Sequence, residues 1–151
     1  MDLNPDFRDM LLALNDVKAE YLIVGAYAVA AHGHPRATGD LDIWVNADPE
    51  NAVKVYRALS LFGAPMHEIV EEDFATPSVV FQIGIPPGRI DILTLVSGLT
   101  FESAWKSRFE MTIDGVRLPV VSRADLVTNK RAAGRPKDIA DLDSLGESRS
   151  G

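Results

Sequence analysis

The chain has 151 residues, 46% of them apolar and 25% charged, which suits one domain with a real core; it has no cysteine, so disulfide frameworks and Cys-based zinc sites are excluded. A net charge of −7 argues against a generally basic nucleic-acid binder, though not against RNA contact through a local patch. No apolar run approaches a membrane span and the stretch MDLNPDFRDM lacks the regions of a signal peptide, so a cytoplasmic protein with no membrane partner is the expectation.

Phe7, Met10, Leu11, Leu14 and Val17 follow helical spacing and predict a first helix over residues 5–19, with Pro5 in its first turn and Asn4 as its cap. Tyr21–Val24 reads as a short buried strand. Residues 26–31 are small and helix-favouring, and Gly33 and Pro35 stop them. Residues 40–45 form a second strand, with Leu41, Ile43 and Val45 on one face and Asp40, Asp42 and Trp44 on the other. A helix opens at Pro49 behind Asp48 and closes at Gly63, and residues 64–77 are loop-rich.

Residues 79–85 and 89–96 are strands joined by Pro86-Pro87-Gly88, a strong turn signal. A short helix follows over Phe101–Ser107. Two more strands, Phe109–Ile113 and residues 116–121, flank Asp114-Gly115, a pair favoured in a type I′ hairpin. Ser122 caps a helix that ends near Gly134, and a last helix covers residues 136–145. This order predicts a mixed β-sheet with flanking helices in an α+β (α/β-like) domain, closed by a C-terminal helical pair. The expected domain is residues 1–146, with a core over 20–96 and the hairpin and helices over 109–146; residues 147–151 read as a frayed tail.

The chemistry sits in the carboxylates. Asp40 and Asp42, at i and i+2 on one strand, point to one face, and like charges side by side need something positive over them. Asp91 lies among aliphatic neighbours in Arg89-Ile90-Asp91-Ile92-Leu93, and a lone buried carboxylate is costly unless paired or metal-bound. If the two strands are adjacent, three carboxylates converge. Such an oxygen cluster suits Mg²⁺ (or Mn²⁺) carrying a nucleoside triphosphate. Two metals about 4 Å apart would activate a hydroxyl and neutralise departing pyrophosphate. Upstream, Gly25 ends a strand and Ala26 starts a helix, where outward-pointing amides favour phosphate.

Plainer readings stand beside these. Asp91 could be ion-paired to Arg89 or to a basic helix residue, and Asp138 and Asp141, one helical face apart, could salt-bridge Arg131 or Arg135. His32 and His34 read as loop residues rather than a metal pair, Arg36 as a turn residue, and Trp44 as a packing residue rather than a base-stacking one. Between Arg123 and Lys137 five basic residues face one acid, Asp125, which is either a solvated helix face or a partner for anions held near the carboxylates.

The arrangement resembles the DNA polymerase β-like nucleotidyltransferase superfamily. Its signature is an apolar residue, Gly followed by Gly or Ser, a short spacer, then two acids flanking one residue among apolar neighbours, with a third acid on a later strand. Here that is Val24-Gly25-Ala26, thirteen residues, Asp40-Leu41-Asp42-Ile43, and Asp91. The segment from Asp125-Leu126-Val127-Thr128-Asn129-Lys130 through Lys137-Asp138-Ile139-Ala140-Asp141-Leu142 is similar to the C-terminal motif of the small bacterial branch related to abortive-infection and toxin–antitoxin nucleotidyltransferases. The resemblance implies Asp40, Asp42 and Asp91 as metal ligands and catalytic acids, with Asp91 drawing the proton. It implies Gly25, Ala26 and Lys130 as nucleotide contacts, and Mg²⁺ (or Mn²⁺) with an NTP as substrate. The acceptor would be a hydroxyl of RNA such as tRNA, of a protein or of a small molecule, with a partner protein or a homodimer completing the site. Ala26 departs from the pattern: it keeps the amide but has no hydroxyl, and a positive φ there would cost about 1 kcal/mol. The alternative reading is a weak or inactive nucleotide- or partner-binding module on the same fold.

Overall fold

The computed structural model describes residues 3–33 and 39–147. Six strands form one mixed sheet: β1 (Tyr21–Val24), β2 (Leu41–Val45), β3 (Val80–Ile83), β4 (Ile90–Leu93), β5 (Phe109–Ile113) and β6 (Val116–Val120), in the order β3-β4-β2-β1-β6-β5. β1 and β2 are antiparallel, as are β3 with β4 and β5 with β6; β2 with β4 and β1 with β6 are parallel. All four residues of β1 are buried, which is what an apolar run in mid-sheet requires.

Helix α1 (Pro5–Asp16) is shorter than its apolar spacing predicts. Lys18 takes a positive φ, which turns the chain into β1 before Ala19 can join the helix. The Asn4 side chain accepts from the Asp6 amide at 2.8 Å, capping as expected. α1 buries Phe7, Met10, Leu11 and Leu14 and packs on α3 (Pro49–Phe62), which buries Ala52, Val55, Ala58 and Leu59. Each large aliphatic side chain so buried contributes about 1.5–3 kcal/mol before entropy is counted. Asp48 caps α3 through the amides of Glu50 and Asn51. α2 (Gly25–Ala31) leaves β1 with no intervening loop and packs on β1 and β2.

The stretch between α3 and β3 carries a short 3-10 turn, Glu71–Ala75, which packs on α3 and buries Phe74. α4 (Phe101–Ser107) precedes the β5–β6 hairpin. Asp114 and Gly115 both have positive φ at the hairpin turn, as the Asp-Gly pair predicts. Ser122 Oγ accepts from the Asp125 amide and starts α5 (Arg123–Ala133), and α6 (Pro136–Ser144) packs back on α5. The expected α+β architecture and its C-terminal helical pair are thus observed. No helix among the described residues is long and apolar enough to cross a membrane.

Candidate active site

Sheet direction places the site. β2 and β4 are parallel and β1 opposes them, so the end of β1 and the starts of β2 and β4 share one end of the sheet. β6 runs parallel to β1, so α5 departs from that same end. There a cleft of about 660 Å³ opens, lined by Gly25, Ala26, Asp40, Asp42, Arg89 and Asp91 from the sheet and by Asn129, Lys130, Arg135 and Lys137 from the C-terminal segment.

The three predicted acids do meet on this cleft. Asp42 and Asp91 are direct partners in the parallel ladder, which brings their carboxyls side by side. Burial pushes the Asp42 carboxyl up to about 6; the negative Asp91 beside it adds to the rise, and Lys137 and Lys130 pull against it. Asp40 sits just ahead of β2 rather than within it. Its Oδ1 accepts from the Arg89 amide at 3.2 Å, while the Leu41 amide donates to the Arg89 carbonyl, so the mouths of β2 and β4 are tied together.

Arg89 makes the ion pair with Asp91 that the plainer reading of the sequence allowed. Its Nε donates to Asp91 Oδ1 at 2.8 Å and its Nη2 to Asp91 Oδ2 at 3.2 Å, a two-pronged grip; Nη2 also lies 3.6 Å from Asp40 Oδ2. The i, i+2 spacing of Arg89 and Asp91 on one strand was the available signal. The three carboxylates supply only oxygen donors, which fits a hard divalent cation. As the side chains stand, no group of three His, Asp or Glu among the described residues is arranged to hold one. Asp91 is turned onto Arg89, and Asp40 lies close to the same guanidinium. The donor set fits a metal, and its present counter-ion is a guanidinium.

Gly25 explains the tight corner. Its φ is +70°, and a Cβ there would collide with the Asp42 carboxylate Oδ2. The left-handed residue is therefore Gly25 and not Ala26, which carries no positive φ. The backbone cost foreseen at Ala26 does not arise.

Lys130 lines the cleft, but its ammonium is buried and spent. Nζ lies 3.2 Å from Asp138 Oδ1 and 2.9 Å from Asp141 Oδ2, and all three side chains are no more than 4% exposed. Asp138 also takes the Arg135 guanidinium, with Nε to Oδ2 at 2.6 Å. Burial works against ionisation of Asp138, yet the hydrogen bonds from Arg135 and Lys130 and the charge of Lys130 outweigh it and hold the carboxyl below its ordinary value. Of the basic run, Arg123 and Arg131 pair with Glu147. Lys137 is the one cation of that run without an ion pair among the described residues, and its charge acts on Asp42.

The remaining expectations resolve simply. Trp44 is 2% exposed and packs edge-on against Phe101, a core role. His32 Nε2 is 2.9 Å from the Val121 carbonyl and its ring meets Phe109, so it is a structural residue. His34 and Arg36 lie outside the described residues.

A family model described as "Nucleotidyltransferase of unknown function (DUF6036)" matches residues 3–146. The chain belongs to this nucleotidyltransferase family. The assignment agrees with the resemblance to the polymerase β-like superfamily carried by Gly25, Asp40, Asp42 and Asp91. No curated protein matches the chain significantly. Among solved structures, the nucleotidyltransferase is similar to TM1012, a candidate nucleotidyltransferase from Thermotoga maritima, at 16% identity and a TM-score of 0.61, covering 93% of this chain and 88% of that one. It is equally similar to the lincosamide antibiotic adenylyltransferase LnuA in its lincomycin-bound form, at 16% identity and 0.61, covering 96% and 97%. At that identity these likenesses show the fold.

Proposed function

We propose that this nucleotidyltransferase moves a nucleoside monophosphate from an NTP to an acceptor hydroxyl in the cleft at Asp40, Asp42 and Asp91. The acceptor oxygen attacks the α-phosphorus and forms a new P–O bond. The bond to the bridging α–β oxygen breaks, and pyrophosphate leaves with that electron pair. Asp91 accepts the hydroxyl proton. Asp40, Asp42 and Asp91 would hold Mg²⁺ (or Mn²⁺), which when bound supplies positive charge against the phosphates. Gly25 and Ala26 border the same cleft as the three acids. Lys137, Arg135 and Arg89 are among the cations that line the cleft and would face the anionic substrate.

The observation that carries this reading is the pairing of Asp42 with Asp91 on a cleft whose other corner is Gly25. A polynucleotide 3′ end, a protein side chain or a small hydroxylated molecule all fit the step chemically. Among these, tRNA and protein are the acceptors we favour, within a toxin–antitoxin setting that supplies a partner protein. Asp42→Ala is expected to abolish label transfer from α-labelled NTP to a panel of bulk tRNA, protein lysate and aminoglycosides. Undiminished transfer would refute the site.

One observation favours a second reading, a nucleotide-binding module without turnover: Asp91 and Asp40 are held by Arg89. Calorimetry with ATP, CTP, GTP and UTP, with and without Mg²⁺, separates the two. Metal-dependent binding with no transfer to any acceptor supports the module.

A further inference from the structure

We propose that Arg89 is the resident counter-ion of the carboxylate cluster, and that a divalent cation entering between Asp40, Asp42 and Asp91 must displace its guanidinium. This rests on the metal-site reading above and adds a control on how that site is loaded.

The geometry leaves little choice. Both oxygens of Asp91 are taken by the guanidinium, through Nε at 2.8 Å and Nη2 at 3.2 Å. The same Nη2 reaches toward Asp40 Oδ2 at 3.6 Å, and the Arg89 amide holds the other oxygen of Asp40. Asp42 lies against Asp91, and its negative charge also acts on the Arg89 guanidinium. A cation that takes an oxygen from Asp91 therefore meets a fixed positive charge on the same atoms, and the two repel. Arg89 is nonetheless not sealed in. Its side chain is 27% exposed and it forms part of the cleft lining, so the guanidinium has somewhere to go. The open space it can turn into is the space that would receive phosphate oxygens, which offer the planar guanidinium a two-pronged partner equal to the one it gives up.

Two consequences follow. With Arg89 in place, the negative charge of Asp40 and Asp91 is partly neutralised. The apparent metal affinity is lowered by the fraction of molecules in which the guanidinium occupies the carboxylates. Metal binds weakly by itself and better when an anion is present to take the displaced side chain. Arg89 acts through Asp40 and Asp91 and is a positioning residue.

The test is Mn²⁺ binding to the full chain, by calorimetry or the electron-spin signal of free Mn²⁺, in the absence of nucleotide. Arg89→Gln is expected to tighten Mn²⁺ binding about tenfold, since a charge-assisted pair no longer competes. Arg89→Lys keeps the charge but loses the fork, and is expected to fall between wild type and Arg89→Gln; it decides the matter if Arg89→Gln does not fold. A side chain with a merely structural role would weaken the site when replaced, not tighten it. Equal or weaker Mn²⁺ binding in the folded variants overturns the proposal. Asp42→Asn separates this from failure of the metal site itself. Loss of Mn²⁺ binding in Asp42→Asn keeps the site and leaves the Arg89 arms to judge the proposal. Undiminished binding there removes the site, and the proposal with it.

Discussion

Two ion clusters stand near one another in this nucleotidyltransferase, and they are built from the same residue types to opposite ends. Lys130, Asp138 and Asp141 are sealed between α5 and α6, and Arg135 closes over Asp138. Asp40, Asp42 and Asp91 stand on an open cleft, with the Arg89 guanidinium on Asp91 and close to Asp40. Charges taken out of water must be matched, so the first cluster is nearly balanced and fixed. The cleft cluster sets acid beside acid instead: Asp42 is pushed up to about 6 by burial and by the neighbouring Asp91, with Lys137 and Lys130 pulling against the rise. The buried cluster ties together the helices that wall the cleft; the open one keeps its acids at the cleft surface.

The comparison breaks first at Lys130. Lys130→Ala leaves Asp138 and Asp141 buried without their ammonium, and removing one partner of a buried ion pair costs about 3–5 kcal/mol. A urea unfolding curve reads this directly. Should Lys130→Ala unfold like the wild type while losing label transfer, the ammonium would serve the triphosphate and the cluster would not be a structural one.

Gly25→Ala probes the open cluster with a smaller effect on stability. A left-handed alanine costs about 1–2 kcal/mol. The new methyl must also push the Asp42 carboxylate aside, so transfer activity is expected to fall further than stability does. Ala26→Gly is the control: with no positive φ to relieve, it should leave Asp42 in place. Equal losses of transfer in Gly25→Ala and Ala26→Gly would sink the steric account.

Much of the open cluster was legible in the sequence, because it depends on local pattern. Apolar strands, the Gly25 corner and the Pro86-Pro87-Gly88 turn place Asp40, Asp42 and Asp91 at strand mouths, and only the adjacency of β2 and β4 had to be assumed. The sealed cluster was half legible. Asp138 and Asp141 at i and i+3 mark one helical face and do pair with bases, Arg135 among them. What sequence spacing does not show is that α6 folds that face back on α5, so Lys130 looks like a solvent-facing cation free for phosphate. Burial of a charge is a tertiary fact, set by how two helices pack. The reading of Ala26 failed for a different reason: one left-handed residue turns the chain there, and a two-residue motif does not say which. Trp44 alternates onto the same face as Asp42, yet Phe101 from a distant helix covers it.

The smallest expected effect tests how the sealed cluster is closed. Arg135 is 58% exposed, so its pair with Asp138 is screened, and Arg135→Gln should cost no more than about 1 kcal/mol at neutral pH. The sign of its pH dependence is fixed by Asp138. Burial alone would raise that carboxyl, but hydrogen bonds from Arg135 and Lys130 hold it below its ordinary value, so folding favours the ionised form. The stability this gives is present above the unfolded value of about 4 and is lost as pH falls through the lower folded value. Arg135→Gln removes the strongest of those hydrogen bonds and brings the folded value back toward the unfolded one. The stability curves of wild type and Arg135→Gln should therefore run apart at neutral pH and converge in acid, where Asp138 is protonated in both. Curves that stay parallel down to pH 2 would mean that the Arg135 guanidinium contributes by packing over the helix start, not through the charge of Asp138.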